Sequence, residues 1–424
     1  MMFQIIELLG KCASVNTSKR VFLLSFTLFV IIFLLSLLRG SAPSSPKIST
    51  STSLRSKDIL KQCDLFSGKW VSHPQGPYYN KETCRWIPDQ QNCIKNGRPD
   101  AEFMKWRWKP DGCELPLFNA KHFLEIVRGK SMAFVGDSVG RNQMQSLLCL
   151  LAGVAYPNDI SGTYTLHPYS TVWYYADYSF TLATLWSTFL VRASDIDPNS
   201  HSYSSIMNLY LDEVDKSWVS QIENFDYVII SAGQWFLRPN IFYERGQIVG
   251  CYNCNNKDIT PLTNYYGQRK AFQTAFKTLT DLKGYKGVTI LRTYSPEHFE
   301  NGQWNNGGSC GRTRPFTQEE KRLDGYILEI YLTQVEAFRS EEKEARKRGL
   351  EFWLLDISEL MMLRADGHPN TYGRSRDKNV TINDCVHWCI PGPIDTWNEF
   401  LLHMMKMGYG ISSNSKLRRI FLKH

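Results

Sequence analysis

The stretch that decides the fold reads Phe134-Val135-Gly136-Asp137-Ser138-Val139-Gly140-Arg141-Asn142-Gln143. An apolar run at 132–135 predicts a buried strand, and good helix formers with one apolar face follow at 143–151. Gly136 allows a tight turn, so Ser138 lies where the strand gives way to the helix. This is the setting of a nucleophile elbow, in which an exposed serine hydroxyl lies beside backbone N–H groups that can bind an oxyanion. Taken alone, Gly-Asp-Ser fits an ordinary helix N-cap equally well.

The composition is typical of a globular protein and gives no sign of nucleic-acid binding. Hydrophobic residues make up 43% of the chain and charged residues 21%, and the net charge of +8 is mild for 424 residues. The sequence has no block of Lys and Arg and no alternation of basic with aromatic residues. We therefore expect no nucleic-acid partner.

Residues 21–38 form an uncharged, almost wholly apolar run that is just long enough to cross a bilayer. A cleaved signal peptide fits less well, because the apolar core is long and Pro43 directly follows the only small-residue exit, Gly40-Ser41-Ala42. We predict an uncleaved transmembrane signal anchor at 21–38. A cytosolic tail at 1–20 would precede it, and a flexible stem rich in Ser, Pro and Thr at 39–62 would follow.

The cysteines indicate on which side of the membrane the folded part lies. Only Cys12 precedes the anchor, and the other ten of the 11 cysteines follow it. An even, scattered set predicts disulfides and hence a lumenal domain, which makes the protein single-pass and type II. The sequon Asn379-Val380-Thr381 predicts a glycosylated surface loop.

Residues 63–116 are dense in Cys, Trp, Tyr, Pro and Gly and have no long helical period. We predict a Cys/Trp-rich module that is held together by disulfides and aromatic packing. Two interpretations of Trp106-Arg107-Trp108 stay open. The segment is either a platform on which sugar rings stack or a pair of tryptophans packed in a small core.

Residues 117–424 read as an α/β domain, because predicted strands alternate with predicted helices. This order implies a mostly parallel sheet with helices on both faces. One helix covers about 266–282, and a longer one starts at the capping box of Thr317 and Glu320 and stops near Gly349. After the strand at 132–135, the further strand runs are 227–230, 287–291 and 352–355.

The carboxyl edge of this sheet is where we expect a ligand crevice, since ligands of such sheets bind beyond the carboxyl ends of the strands. Ser138, Gly233 and Ser295 each follow a predicted strand and fall at this edge. Asp356 ends the last strand and is interpreted as a structural acid.

A base for Ser138 is predicted near the C-terminus, in Asp384-Cys385-Val386-His387-Trp388-Cys389. A serine alcohol needs a base to take its proton, and the base needs a partner that fixes its tautomer. Asp384 and His387 can do this from one turn, and the chain order Ser, Asp, His is that of serine hydrolases on α/β sheets. The rival pair is Asp366 with His368, which we interpret as a loop or a substrate-side contact.

The block from Gly136 to Gln143 and the block from Asp384 to Glu399 together resemble the plant trichome birefringence-like family. Its members are Golgi polysaccharide O-acetyltransferases related to GDSL/SGNH esterases, and the resemblance runs from about Cys63 to the C-terminus. It implies an SGNH-like three-layer α/β/α fold behind the Cys-rich module. It also implies a type II Golgi membrane protein that moves acetyl groups onto cell-wall glycans. The implied roles are nucleophile for Ser138, base for His387 and orienter of the base for Asp384.

The resemblance extends to finer features of the site. Gly233-Gln234-Trp235-Phe236 resembles the subgroup that acts on xyloglucan and mannan rather than xylan. The N–H groups of Ser138 and Gly233 are the expected oxyanion donors, and Arg141, Asn142, Gln234 and Trp235 are further candidates for oxyanion or substrate contacts. The implied disulfides are Cys63–Cys113, Cys84–Cys149, Cys93–Cys389 and Cys310–Cys385, with Cys251 and Cys254 left to bridge locally. A metal half-site at this last pair is the weaker alternative, and no metal site is predicted.

The expected acceptor is a long neutral hemicellulose, with xyloglucan first and a mannan second. Aromatic stacking should hold it, so binding should depend only weakly on salt. An acetyl donor is the co-substrate, either acetyl-CoA or a Golgi supplier, and no tightly bound cofactor is expected. The alternatives are a glycan acetyl esterase and a non-catalytic wall-polysaccharide binding protein; an intact Ser-Asp-His set argues against the second. The residues expected to line the acceptor cleft are Trp235, Tyr294, Trp304 and Trp388.

Overall fold

The computed structural model describes residues 64–164, 167–197, 205–373 and 383–408. The predicted tail, anchor and stem lie outside these ranges, as do Cys63 and the sequon at Asn379. Among the helices that are described, none is both long and apolar enough to cross a membrane.

The described strands form three sheets, and the helices pack mainly on the largest of them. The strands are β1 Asp64–Ser72, β2 Trp106–Asp111, β3 Ser131–Gly136, β4 Asn158–Asp159, β5 Thr171–Tyr175, β6 Phe180–Trp186, β7 Val191–Asp195, β8 Met207–Val214, β9 Tyr227–Ser231, β10 Asn240–Glu244, β11 Gln247–Tyr252, β12 Val288–Arg292 and β13 Phe352–Leu355. The α-helices are α1 Ala120–Ile126, α2 Ser138–Leu151, α3 Ser161–Tyr164, α4 Lys216–Val219, α5 Asn264–Asp281, α6 Gly325–Lys347, α7 Ser358–Met361 and α8 Asp395–Met407.

The central sheet has seven strands in the order β13-β12-β9-β3-β6-β5-β4. Neighbouring strands from β13 to β6 are parallel, whereas β5 and β4 form an antiparallel edge. The prediction of a mostly parallel sheet is confirmed. Each predicted strand run coincides with β3, β9, β12 or β13 to within one residue.

Two helical layers cover this sheet because alternate side chains of each strand point to opposite faces. Met132 and Phe134 of β3 belong to the core that also contains the apolar faces of α1, α2 and α8. Ala133 and Val135 belong to the other core, with the apolar faces of α5 and α6. The arrangement is therefore a three-layer α/β/α sandwich.

The start of the long helix α6 differs from the prediction. The capping box does form, since Glu320 Oε2 accepts the Thr317 N–H at 2.8 Å and Thr317 Oγ1 accepts the Glu320 N–H at 3.3 Å. It closes an isolated turn, and the helix begins later, at Gly325, whose φ of 52° cannot continue a right-handed helix from that turn. The two hydrogen bonds satisfy a local sequence pattern without starting a helix.

A second sheet, with the order β11-β10-β8-β7, was not predicted. It mixes a parallel pair, β10 with β8, with antiparallel partners on both sides. Its β7 is mostly exposed and polar, and β11 is exposed at its first two residues and interrupted by Gly250, so neither has an unbroken apolar run like those of the central strands.

The Cys/Trp-rich module contributes the two-stranded sheet of β1 and β2. Trp108 is buried, its Nε1–H donates to the Leu65 carbonyl at 2.9 Å, and its ring meets Trp70 edge-on at 5.6 Å between centroids. Trp106 is half-buried and packs against the same core. Of the two open interpretations of this segment, core packing is therefore the correct one.

Four disulfides are present among the described residues, and two of them join the module to the rest of the protein. Cys113 is also disulfide-bonded, but its predicted partner Cys63 lies outside the described residues. The three pairs that the resemblance implied within the described part of the chain are all bonded, namely Cys84–Cys149, Cys93–Cys389 and Cys310–Cys385. Cys251 and Cys254, which were left to bridge locally, are bonded to each other.

Candidate active site

Ser138 is the first residue of α2 and directly follows the turn after β3. Asp137 is the N-cap, and its Oδ1 accepts the Val139 N–H at 3.0 Å. Gly136 has a φ of 152°, and a Cβ there would lie 1.9 Å from the Ser231 carbonyl oxygen, so only glycine fits. The turn is thus pressed against the end of β9, and it presents a half-buried Ser138 at the carboxyl edge of the sheet.

His387 and Asp384 lie beside this serine in one connected set of hydrogen bonds. His387 Nε2 is 2.7 Å from Ser138 Oγ, and His387 Nδ1 is 2.9 Å from Asp384 Oδ2. Asp384 Oδ1 also accepts the N–H groups of Val386 and His387, at 3.1 and 3.0 Å, which fixes the carboxylate. The side chains of His387 and Asp384 are 23% and 22% exposed, so a substrate can reach them. The arrangement allows Nε2 to take the serine proton while the carboxylate holds Nδ1–H.

The charges of this pair shift both of its pKa values. Burial opposes the charged form of each group, but the mutual charge and hydrogen bonds outweigh it. The pKa of Asp384 therefore lies well below its ordinary value, and the pKa of His387 is raised. Asp384 is consequently ionised at any physiological pH, and His387 is a stronger base than a free imidazole.

The segment that carries His387 is held from several sides. Asn142 is fully buried, and its Oδ1 accepts the Trp388 N–H at 2.8 Å while its Nδ2 donates to the Trp388 carbonyl at 3.3 Å. The disulfides of Cys385 and Cys389 fasten the chain two residues before and two residues after His387. Asn142 is thus a brace for the loop, and its predicted oxyanion or substrate contact stays a prediction.

Comparison with known proteins agrees with this geometry. The profile of the PC-Esterase family, described as a GDSL/SGNH-like acyl-esterase family found in Pmr5 and Cas1p, matches residues 115–404. The profile of the PMR5 N-terminal domain matches residues 61–114. Protein trichome birefringence-like 19 of Arabidopsis thaliana is 51% identical over 347 residues, which cover 81% of each chain. The chain belongs to the trichome birefringence-like family of PC-esterases.

Some relatives of this chain carry names that state an activity, two xyloglucan O-acetyltransferases among them. Xyloglucan O-acetyltransferase 4 of Populus trichocarpa is 43% identical over 347 residues, covering 81% of each chain. Xyloglucan O-acetyltransferase 2 of Arabidopsis thaliana is 42% identical over 352 residues, covering 82% of this chain and 84% of the relative. These relatives match over most of their length.

The rival pair, Asp366 with His368, is not a catalytic dyad in this family member. Asp366 is fully buried and forms an ion pair with Arg364 at 2.8 Å. His368 Nδ1 lies 2.7 Å from the His387 carbonyl oxygen, and its Nε2 lies 2.7 Å from His298 Nδ1. Burial lowers the pKa of His298 to about 4 and that of His368 well below its usual range, so both rings are neutral. The segment is a buried support for His387, and its interpretation as a substrate-side contact is wrong.

The expected oxyanion donors directly follow two neighbouring strands, β3 and β9. Gly136 of β3 pairs with Ser231 of β9, so Ser138 and Gly233 each follow the same point of the sheet by two residues. Neither N–H group has a hydrogen-bond acceptor among the residues that the structure describes. Gly233 has a φ of 148°, and a Cβ there would approach Tyr294 Cδ2 to 2.9 Å, so this position also requires glycine.

Gln234, a further candidate for substrate contact, is engaged inside the protein. Its Nε2 donates to the Ser295 carbonyl at 2.7 Å, and its Oε1 accepts from the Tyr294 hydroxyl at 2.8 Å. Its backbone N–H donates to Asp137 Oδ2 at 3.3 Å. Gln234 therefore ties the end of β9 to the segment after β12 and to the elbow.

The aromatic residues that were expected to line the cleft divide into two groups. Tyr294 and Trp388 are 1% and 0% exposed, so for them the expectation is wrong; Trp388 Nε1 donates to Ser295 Oγ at 2.8 Å inside the core. Trp304 is 48% exposed, and Trp235 is half-buried close to Gly233. Only the second group can touch a substrate.

Three residues near the elbow were missed by the sequence analysis. Arg292 ends β12 and is 2% exposed; it donates to Ser231 Oγ and its charge opposes the rise in the pKa of Asp137 that burial causes. Trp186 ends β6, and Tyr169 packs on it at 5.0 Å between ring centroids. A charged residue that closes an apolar strand was a signal for Arg292, and the β-branched and aromatic residues in 180–186 were a signal for β6 and hence for Trp186.

Asp356 is a structural acid, as expected: it is buried and accepts a hydrogen bond from the Tyr331 hydroxyl at 2.9 Å. A search of the described residues for three or more His, Cys, Asp or Glu side chains placed to hold a metal ion finds no such group.

Proposed function

We propose that this protein transfers acetyl groups to hydroxyls of a cell-wall hemicellulose through an acetyl intermediate on Ser138. The observation that carries the proposal is the contact of 2.7 Å between Ser138 Oγ and His387 Nε2, with the Asp384 carboxylate on the other ring nitrogen. The relatives named xyloglucan O-acetyltransferases support the transferase reaction and the polysaccharide acceptor.

In the first step Ser138 Oγ attacks the carbonyl carbon of an acetyl donor. Its proton passes to His387 Nε2, and Asp384 stabilises the imidazolium that forms. The N–H groups of Ser138 and Gly233 receive the negative charge on the carbonyl oxygen, in the places where the two strand ends present them. The donor's bond to the acetyl group then breaks, and its leaving group takes the proton from His387. Ser138 now carries an acetyl ester.

In the second step a sugar hydroxyl attacks this ester. His387, again neutral, takes the hydroxyl proton, the same two N–H groups hold the oxyanion, and the bond from the acetyl carbon to Ser138 Oγ breaks. His387 returns its proton to Ser138. The proton and the acetyl group are both accounted for, and the enzyme is restored.

The acceptor that we propose is xyloglucan first and a mannan second, at the Golgi membrane with the catalytic part in the lumen. The apolar segment 21–38 and the disulfides, which require an oxidising compartment, support this location. Acetyl-CoA or a Golgi acetyl supplier would provide the donor. A glycan acetyl esterase would use the same residues with water as acceptor, and the family description as acyl-esterases keeps it as the second candidate.

The experiment is incubation of the purified protein with a labelled acetyl donor and deacetylated xyloglucan, glucomannan, xylan and pectin, at low and high salt. We expect label on xyloglucan with little effect of salt, and an acetyl group on the Ser138 peptide by mass spectrometry in protein trapped with donor alone. Ser138→Ala should lose both signals while keeping its circular dichroism spectrum.

Each contrary outcome removes a different part of the proposal. Full transfer by folded Ser138→Ala would reject the serine mechanism. Release of free acetate without any labelled glycan would favour the esterase. Preference for xylan would reject the acceptor subgroup, and preference for pectin with steep salt dependence would reject a neutral hemicellulose.

A further inference from the structure

Three aromatic side chains form a partly exposed wall beside Ser138, which we call the aromatic wall: Tyr169, Trp186 and Trp235. Trp186 is the central member, 5.0 Å from the Tyr169 ring and 6.4 Å from the Trp235 ring between centroids, and it meets Trp235 edge-on. Tyr169 is 53% exposed, and both tryptophans are half-buried. Exposed aromatic clusters of this kind are unfavourable in water and mark binding surfaces.

The register of the central sheet places this wall at the nucleophile. β3 lies between β9 and β6, and Gly136 pairs with Ser231 on one side and with Trp186 on the other. Trp186 is therefore next to the turn that carries Ser138, and Trp235 follows the oxyanion position Gly233 by two residues. The wall spans the two strand ends that flank the serine.

Two arginines lie against the wall. Arg141 is one helical turn after Ser138, and its Cζ lies 5.1 Å from the Trp186 ring centroid and 5.6 Å from that of Tyr169. Arg238 Cζ lies 4.8 Å from the centroid of Trp235. Guanidinium groups on aromatic faces hold the rings in place, so the wall is fixed before any ligand arrives.

We propose that the aromatic wall is the acceptor subsite, on which a pyranose ring of a neutral glycan stacks while a hydroxyl of the chain meets the acetyl ester on Ser138. This rests on the proposed function. The apolar C–H face of a pyranose suits an aromatic face, and its equatorial hydroxyls suit the planar N–H groups of an arginine. The wall is also open on the Tyr169 side, as a polymer that continues beyond the site requires, whereas a small donor is normally enclosed in a concave pocket.

The test separates glycan binding from catalysis by using Ser138→Ala as the background. Binding of deacetylated xyloglucan and glucomannan oligosaccharides is measured by calorimetric titration after adding Trp186→Ala, Trp186→Phe or Tyr156→Ala. Tyr156 is a matched control, because it is 62% exposed and has Arg85 Cζ 5.7 Å from its ring, yet it lies beyond the other end of α2. We expect Trp186→Ala to weaken binding about tenfold, Trp186→Phe to restore most of it, and Tyr156→Ala to leave it unchanged. Equal affinities for Trp186→Ala and Tyr156→Ala would overturn the inference.

A second readout identifies the ligand class, with Ser138 restored. In Trp186→Ala the KM for the glycan should rise about tenfold, whereas the rate at which the donor alone acetylates Ser138 should fall far less. A slower acetylation with unchanged glycan binding would assign the wall to the donor and overturn the inference. If no glycan were acetylated by the wild type but Trp186 still governed glycan binding, the proposed function would fail and the glycan site would stand.

Discussion

Replacing Glu399 by glutamine should remove a pH dependence of folding stability that amounts to about 3 kcal/mol. Glu399 lies on α8, is 5% exposed, and accepts a hydrogen bond from the Tyr78 hydroxyl of the module. On the same helix Asp395 accepts from the Tyr79 hydroxyl and from Ser146 Oγ, both at 2.6 Å. Burial raises the pKa of Asp395 to about 6 and that of Glu399 to about 7.

The direction of this pH dependence follows from how tightly the folded and unfolded states bind the proton of Glu399. A carboxyl group whose pKa is raised in the folded protein holds its proton more tightly there than in the unfolded chain. Its contribution to stability is complete below pH 4.5, the ordinary pKa of Glu399, and is lost as the pH rises through about 7. A rise from 4.5 to about 7 is equivalent to about 3 kcal/mol. Glutamine cannot titrate. The folding stability of the variant relative to the wild type should therefore increase by about 3 kcal/mol between about pH 4 and about pH 8.

The assay is denaturant unfolding of wild type and Glu399→Gln, with disulfides intact, at several pH values across that range. Tyr78→Phe is the matched control, because it removes the hydrogen-bond donor and leaves the carboxyl group. Since that hydrogen bond lowers the pKa of Glu399, the control should keep the pH dependence and extend it to higher pH. A constant difference between Glu399→Gln and wild type at every pH would show that folding does not shift the pKa of Glu399, and would refute the reasoning.

Two further predictions concern the residues around His387. Asn142→Ala leaves the buried N–H and C=O of Trp388 without their partner; we expect a loss of about 2–4 kcal/mol in urea unfolding and a lower kcat. Equal stability of Asn142→Ala and wild type would contradict the brace. Asp384→Asn should lower kcat by about 10⁴ and move the acid limb of the pH–rate profile to lower pH, because the carboxylate raises the pKa of His387. An unchanged midpoint would mean that another group is the titrating base.

The sequence predicted the central layers well because their signals are local. The elbow, the strand runs and α5 are each read from fewer than about twenty consecutive residues with one clear period. The second sheet was missed for the same reason, since β7 is short, polar and mostly exposed and the apolar run of β11 is interrupted by Gly250. The capping box at Thr317 shows that a local pattern can form without the element it predicts. Both of its hydrogen bonds form, but the helix begins at Gly325.

The residue types of the site were also predictable, but their surroundings were not. A serine, a histidine and an aspartate in the right order suggested a triad, and the structure brings them together. The task of Asn142 depends on Trp388, 246 positions further along the chain, and no local pattern connects the two. In the same way, whether Trp388 faces a cleft or a core depends on residues that are distant in sequence, such as Ser295 and His368. The burial of single aromatic residues therefore could not be predicted from the sequence.

The contacts around His387 also explain why the module accompanies the catalytic layers in one unit, Gln62–His424. Cys93 of the module is bonded to Cys389, two residues after His387. Arg98, also in the module and 8% exposed, donates to the carbonyl oxygens of His368 at 2.9 Å and of Asp366 at 2.7 Å.

His368 in turn lies 2.7 Å from the carbonyl oxygen of His387, so the module is linked to the proposed base by one bond path and one hydrogen-bond path. A loop that must hold an imidazole at 2.7 Å from a serine hydroxyl needs such support, because misplacement by about 1 Å can cost about 100-fold in rate. The module therefore supports the loop that carries the proposed base, and a sugar-binding role is not needed to explain its presence. Trp70 and Trp108 lie in the core, and Trp86 and Trp106 pack against it, so they help to build the body to which that loop is fastened.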